Sequence, residues 1–520
     1  MTGLRRVVLG SWIAVILMRW IAPADLTTGM LIVAFGTSVY WLSRRVTDDP
    51  VLIRLVWWSW FVKTVLAISL FYISYWSLPI FRGHQLGSGF WRIARDPSFF
   101  DWFSRWILEC WRTGATIPGR LLHDQAQQLY CAGLYWFFHS RPVPVILFGI
   151  GYSTLTVLVA HDLIRRLGGT RTACRIGAGL IALWPSAVIW STQMIKEPLV
   201  LFGILAAFWC IAILVDSEKP SFWQLWGCVG GLCAAAFTVT LFRFYVGGIL
   251  IGSAILAFLI AAVLQRGTRS FSRGRLLMVA LVLGGSVFVS LMVFYLKPEV
   301  GHPAWYEFNA PVAPVWFPAT PPSPTSVPQS PTAPTLPTPR PLGRKSLSPI
   351  TTMMAVRNGY LRTIGGSNTG GWVNQVRHQR TAIALLPRSL AAAFLEPYPS
   401  TWLVQGADVK ALRQLALMDM VLIYLLIPGF LLALTDRANA HPVRLHLMIF
   451  SLLQALAIGF SIINIGTLFR LRLQYLFPLI ILWASSARGT RWYAAGWRAV
   501  VRWCGRSRHS AVGAMAEPSP

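Results

Sequence analysis

Runs of eighteen or more apolar residues recur along most of the chain, separated mainly by short charged loops. A run of that length crosses a bilayer as an α-helix, and inside lipid a helix is one of the few structures that satisfies its own backbone hydrogen bonds. Nothing else in the sequence narrows the fold so far. Composition agrees: of 520 residues 55% are hydrophobic and 12% charged, with a mean hydropathy of +0.56, where a soluble domain carries about 25% charged residues. No two-residue alternation runs through these segments, which argues against an outer-membrane barrel. The expected fold is all-α, a polytopic integral membrane protein.

About twelve spans are expected, near residues 7–22, 28–43, 55–79, 143–164, 176–194, 198–215, 222–241, 245–263, 276–296, 416–434, 446–463 and 473–487. The first begins with basic residues, lacks a small-residue cleavage site and is followed at once by a second run. It reads as an uncleaved helix rather than a signal peptide. The chain then divides into 1–296, a transmembrane module carrying a first long loop at 80–142; 297–415, a second long loop; 416–487, the C-terminal spans; and 488–520, a basic tail. The stretch at about 310–345 is so rich in Pro, Ser and Thr that it reads as a disordered or polyproline-like linker. The apolar segment after it is broken by Pro387, Pro397 and Pro399 and reads as re-entrant or interfacial.

The net charge is +28, from 46 Lys+Arg against 18 Asp+Glu. In a soluble protein this would point to nucleic acid. Here most of the basic residues flank apolar runs, so nucleic acid is not an expected partner and the lipid bilayer is. Alternate loops collect them: Arg5 and Arg6; Arg44 and Arg45; Arg165, Arg166, Arg171 and Arg175; Arg266, Arg269, Arg273 and Arg275; Arg437 and Arg444; and the tail from Arg488 to Arg508. The positive-inside rule makes these the cytoplasmic loops, with both termini cytoplasmic. The tail is amphipathic and suits an anionic leaflet.

The opposite loops hold few charges, but acids and arginines recur among them: Asp96, Asp101, Lys196, Glu197, Arg243, Arg470 and Arg472. Asp96 and Asp101 open the first long loop in RDPSFFDWFSRWI, beside a stretch that places Phe99, Phe103, Ile107 and Trp111 on one face of an interfacial helix. Lys196 and Glu197 follow a proline-kinked span, and Arg243 separates two helix ends. Arg470 and Arg472 open the last span. Carboxylates serve as general bases or metal ligands, and the arginine fork binds phosphate oxygens in pairs. The plainer alternatives are helix capping for the acids and interfacial snorkelling for the arginines. Of seven cysteines none forms a CxxC pair; Cys110 and Cys131 share the first long loop and are open to a disulfide or to two free thiols. Walker A, GxGxxG, HExxH and CxxCH patterns are absent, so any activated substrate would arrive through the membrane.

In their order and common sidedness these segments resemble the GT-C superfamily of integral-membrane glycosyltransferases, in particular the bacterial mannosyltransferase-like and aminoarabinose-transferase-like proteins. The resemblance rests on Asp96 with Phe99, Phe100 and Asp101; on VAHDLIRRLGGTRTACRIGAGLIALWPS; on Pro185 through Glu197; and on Arg470, Arg472, Tyr475 and Pro478. It covers 85–245 well and 385–485 loosely, and Pro97 stands where the family has a second acid. It implies a GT-C-like fold with periplasmic interfacial helices in a bacterial inner membrane. It also implies transfer of a sugar from a polyprenyl-phosphate donor to a glycan or lipid acceptor of the cell envelope. No cofactor is certain, and a divalent metal is compatible. Carried over, Asp96 is the first candidate base, Asp101 the second and Glu197 an orienting acid; Lys196, Arg243, Arg470 and Arg472 would bind phosphate. The rivals are a glycan polymerase or ligase using polyprenyl-diphosphate oligosaccharides, a lipid or glycan flippase, and a non-catalytic assembly subunit. A flippase needs polar groups along a path through the membrane, which the mostly apolar spans do not offer.

Overall fold

The computed structural model describes residues 2–18, 24–94, 96–115, 126–138, 141–216, 221–264, 285, 354, 357, 383–399, 410–462 and 465–491. These are helical almost throughout. The helices are Thr2–Met18 (α1), Ala24–Val46 (α2), Pro50–Tyr75 (α3), Asp96–Thr113 (α4), Ala126–Phe138 (α5), Pro142–Arg166 (α6), Arg171–Leu183 (α7), Pro185–Ser191 (α8), Glu197–Asp216 (α9), Phe222–Phe242 (α10), Phe244–Leu264 (α11), Leu386–Leu395 (α12), Lys410–Leu434 (α13), Pro442–Ser461 (α14), Ile465–Leu471 (α15) and Leu473–Ser485 (α16). Among the described residues the one sheet is a two-stranded antiparallel ribbon, Gln85–Gly87 (β1) against Phe90–Trp91 (β2).

Nine helical segments among the described residues, α15 and α16 together forming one of them, are long and apolar enough to cross a membrane, ten if the bent pair α7–α8 counts as one span. This makes the chain a multi-pass α-helical membrane protein. The expected twelve are not all present among the described residues. Helix α1 has 17 described residues, residues 19–23, at and beyond the end of the expected first span, lie outside the described ones, and almost all of the expected span at 276–296 lies outside the described residues. So do the proline-rich tract at about 310–345 and the tail beyond residue 491.

Each helix begins and ends where local chemistry sets it. Asp49 caps α3 by accepting from the Val51 amide, with Pro50 in the first turn. Thr170 and Ser221 cap α7 and α10 in the same way. Helices α9 and α16 are apolar on every side and largely buried, which places them at the centre of the bundle. Packed around them are α6, α7, α10 and α14. Helix α12 is only ten residues long, so this segment does not span, as its prolines predict. It lies so close to α14 that a Cβ on Gly459 would fall 2.0 Å from the Ser389 carbonyl oxygen.

Helix α4 packs on α5 through Phe103, Trp106, Ile107 and Cys110 against Ala132. The buried face is therefore rotated from the expected one, and Trp111 is 41% exposed. Cys110 and Cys131 are both buried free thiols.

Ion pairs mark one end of the bundle. Asp49 holds Arg171 and Arg175, Asp162 holds Arg165, Arg166 and the Trp209 indole, and Asp436 accepts from Ser486. Asp162 thus sits in a structural network. Because α3 starts and α6 ends there, the opposite end carries the start of α6, the start of α9 and the break between α10 and α11.

Candidate functional site

Four separate loops converge at that second end. Helix α7 runs up to Leu183, bends by 49° at Trp184 and continues as α8. Pro185 cannot supply a backbone donor at the bend. The buried N-terminus of α8 is instead capped by Asp419 of α13, which accepts from the Ser186 amide at 3.1 Å and from its hydroxyl at 2.5 Å. After α8 a five-residue turn leads into α9, with Lys196 accepting the first helical bond and Glu197 followed by Pro198 in the first turn. An acid there faces the positive end of the helix dipole.

Glu197 is 5% exposed, and its Oε1 takes two arginines, Arg243 Nη2 at 2.7 Å and Arg470 Nε at 3.0 Å. Arg243 is the single non-helical residue between α10 and α11, with φ −150° and ψ 76°. That break turns the chain sharply: a Cβ on Gly247 would lie 2.2 Å from the Thr240 hydroxyl. Arg470 also reaches Asp96 at the start of α4, with Nη1 to Oδ2 at 2.5 Å. The ion-pair chain Asp96–Arg470–Glu197–Arg243 therefore joins positions up to 374 residues apart.

Electrostatics follow from crowding. Burial works against ionisation of Asp96 but is outweighed by Arg470, and after it Lys196 and Arg243, which hold the carboxyl below its usual range. It is ionised at neutral pH and keeps 48% of its side-chain surface open. Lys196 is pulled down to about 7, first by burial and then by Arg243 and Arg470, with Glu197 and Asp96 acting the other way. With Lys196 protonated, three cations face two carboxylates, an excess of one positive charge. Within the cluster Glu197 Oε2 and Arg243 Nε are buried and have no hydrogen-bond partner among the described residues. Below the cluster a narrow cleft descends between α6, α8, α9 and α16, lined by Ser153, Trp190, Glu197, Leu201, Arg470 and Gln474.

The structure thus brings together Asp96, Lys196, Glu197, Arg243 and Arg470, but not Asp101 or Arg472. Asp101 faces α5, accepting from Arg105 at 3.0 Å and from the Tyr135 hydroxyl at 2.5 Å. Burial raises its pKa against the pull of Arg105 and Tyr135. Its part is positional, because the same Tyr135 hydroxyl touches Met194, two residues from Lys196. Arg472 is 1% exposed and is spent on the carboxyl end of the α12 segment, donating to the Ala393 and Glu396 carbonyls and contacting Met420 Sδ. A cation there complements the helix dipole and fills the carbonyls left open at a helix end.

Sequence inspection does not single out Lys63 or Asp419, although a lone charge in an apolar run is itself a signal. Among the described residues no three His, Cys, Asp or Glu side chains gather closely enough to hold a metal ion. Both cluster carboxylates are engaged by arginine, so these residues do not fit a divalent metal. The sequence matches no known family model and no curated protein.

Proposed function

We propose that the protein is a membrane-embedded transferase that works at the outer end of the bundle on a lipid-phosphate-linked substrate, most simply a glycosyltransferase using a polyprenyl-phosphate sugar. The observation that carries this reading is the cluster of three basic side chains and two carboxylates at one end of the bundle, which carries one excess positive charge when Lys196 is protonated and holds unpartnered polar atoms. A mono-anionic phosphodiester neutralises that excess. Lys196, Arg243 and Arg470 supply the donors for its oxygens.

In the proposed step an acceptor hydroxyl oxygen attacks the anomeric carbon. The bond from that carbon to the phosphate oxygen breaks, and the electron pair leaves with the lipid phosphate. The hydroxyl proton passes to Asp96, which is ionised and open to solvent. The leaving phosphate gains charge as the bond breaks, and cations already in place stabilise it without reorganising. Glu197 holds Arg243 and Arg470 in position and remains ionised throughout. The reading includes an inner bacterial membrane with both termini in the cytoplasm.

The test is transfer in proteoliposomes from a panel of radiolabelled polyprenyl-phosphate sugars to an envelope-lipid acceptor. Asp96→Asn is expected to lower turnover by 10²-fold or more, the typical worth of a general base, with the melting temperature retained. Wild-type turnover in Asp96→Asn would remove the assigned base. Absence of turnover with every donor would turn the reading toward a polymerase, a flippase or an assembly subunit.

A further inference from the structure

A chain that leaves a membrane span for water normally turns polar. The segment after α3 does the reverse. Trp76 and Phe81 are 62% and 66% exposed, and Leu78, Ile80 and Leu86 are exposed as well. No residue from 76 to 94 is acidic. Arg82 and Arg92 lie exposed in the same segment, and among the described residues neither forms an ion pair. An exposed apolar patch rimmed by polar groups marks a contact surface.

The segment is firmly built. Gln85 is buried, and its Nε2 donates to the Leu78 and Ile80 carbonyls at 2.8 and 2.7 Å. The His84 amide donates to the Phe81 carbonyl at 2.8 Å, closing a 3₁₀ turn over Arg82–His84. These bonds hold Phe81 in left-handed backbone, with φ 55° and ψ 32°, a conformation that bulky residues avoid. Strain kept at an exposed aromatic ring points to a contact that the ring makes.

The ribbon β1–β2 then folds back along α3, which fixes its level. Trp91 Nε1 donates to the Leu70 carbonyl at 3.1 Å, and Ser74 Oγ to the Phe90 carbonyl at 2.5 Å. Gly89 lies so close to Phe71 that a Cβ would fall 2.2 Å from the ring. From Pro50 to Leu70 helix α3 rises about 30 Å, the hydrocarbon thickness of a bilayer. Asp49 with Arg171 and Arg175 marks the opposite boundary. The exposed face of α3 runs through Trp58, Val62, Val65 and Ser69 to Trp76 at helical spacing. The lipid-facing side of the span therefore leads onto the ribbon. At that level an exposed side chain meets headgroups and upper acyl chains, where aromatic rings bury apolar surface and arginine reaches phosphate.

We propose that residues 76–92 form a rigid bilayer anchor. It seats Trp76, Leu78, Ile80, Phe81 and Leu86 in the headgroup boundary at the cluster end of the bundle, with Arg82 and Arg92 on the phosphates of anionic lipids. Helix α4 begins shortly after the ribbon, so the anchor also sets the level of Asp96 against those headgroups. It does so whatever the cluster binds.

The test replaces Phe81, Trp76 and, as a mid-span lipid reference, Val62 one at a time with photoreactive p-benzoylphenylalanine, in the full-length protein in its cell membrane. All three positions are exposed, so melting temperatures should match wild type. After irradiation and purification, mass spectrometry reads what has been attached. Positions 81 and 76 are expected to carry phospholipid, as position 62 does. A phospholipid adduct at 62 with none at 81 or 76 overturns the anchor, and so does a protein adduct in its place. In nanodiscs of equal parts phosphatidylglycerol and phosphatidylcholine, the adduct at 81 should favour the anionic lipid by up to about fivefold for each arginine. Arg82→Gln with Arg92→Gln should bring that ratio to about one. Equal adducts before the arginines are changed, or an excess that survives their loss, overturn the arginine contacts.

Discussion

Removing Glu197 tests whether the cluster is one electrostatic unit. Its Oε1 lies 2.7 Å from Arg243 and 3.0 Å from Arg470, with side chains 5% and 15% exposed. At an effective dielectric of about 20, two unit charges about 4 Å apart attract by about 4 kcal/mol. Breaking a buried pair by deleting one partner costs about 3–5 kcal/mol, because the other charge is left without compensation. Glu197→Gln and Arg243→Gln are each expected to destabilise by that amount. The double variant should cost about 2–3 kcal/mol less than the sum. It orphans nothing, since Arg470 retains Asp96. Reversible unfolding in mixed micelles reads all four corners of the cycle without any substrate. Additive losses, agreeing within about 0.5 kcal/mol, would refute a shared buried charge and with it the basis for an anion site.

Two further outcomes separate the site from its scaffold. Arg472→Met should cost about 1.5–3 kcal/mol by stranding the carbonyls it serves while leaving the affinity for dodecyl methyl phosphate unchanged; a fall matching that of Arg470→Gln would return Arg472 to the site. Lys196 is drawn down to about 7, so it is cationic below that pH and neutral above. An anion favours the cationic form and raises its pKa. Affinity for dodecyl methyl phosphate, whose own charge is fixed, should be level below pH 7 and fall above it, by ten- to a hundredfold for a charged hydrogen bond. Lys196→Met should bind weakly and show no such slope; a slope kept in that variant would place the titrating group elsewhere.

What the sequence makes legible is sidedness. The positive-inside rule and run lengths place Asp96, Lys196, Glu197, Arg243 and Arg470 at helix ends of one side, and the fold then brings all five together. Sidedness does not fix which way a side chain turns. Asp101 follows Asp96 by five residues, a rotation of about 140° on an α-helix, and Arg472 is about 200° around from Arg470. Both therefore face away, toward α5 and toward α12. Depth is equally hidden. Lys63 and Asp419 sit within apolar runs, where a composition reading counts one charge as noise, and only packing shows Lys63 against Ser153 and Asp419 against the broken end of α8. The kink at Pro185 is readable from proline chemistry; the acid that satisfies it comes from 233 residues away.

The two charged ends of the bundle differ in a way that bears on function. At the end holding Asp49 and Asp162, acids meet arginines that are partly or largely open to water, with Arg171 67% and Arg165 58% exposed. Surface arginines of that kind are what topology alone requires. At the opposite end Glu197, Arg243 and Arg470 are 5%, 15% and 15% exposed, and Glu197 Oε2 and Arg243 Nε remain unpartnered among the described residues. A buried polar atom without a partner costs about 1–3 kcal/mol. A polar ligand removes that cost on binding. The same reasoning favours a closed pocket over a translocation path. One turn beyond Ser153 on α6 and beyond Leu201 on α9, Val157, Ile204 and Leu205 are buried and apolar. A hydroxylated headgroup passing through would have to shed its hydrogen bonds there, several kcal/mol for each polar group, whereas one that stays at the charged end of the bundle keeps them.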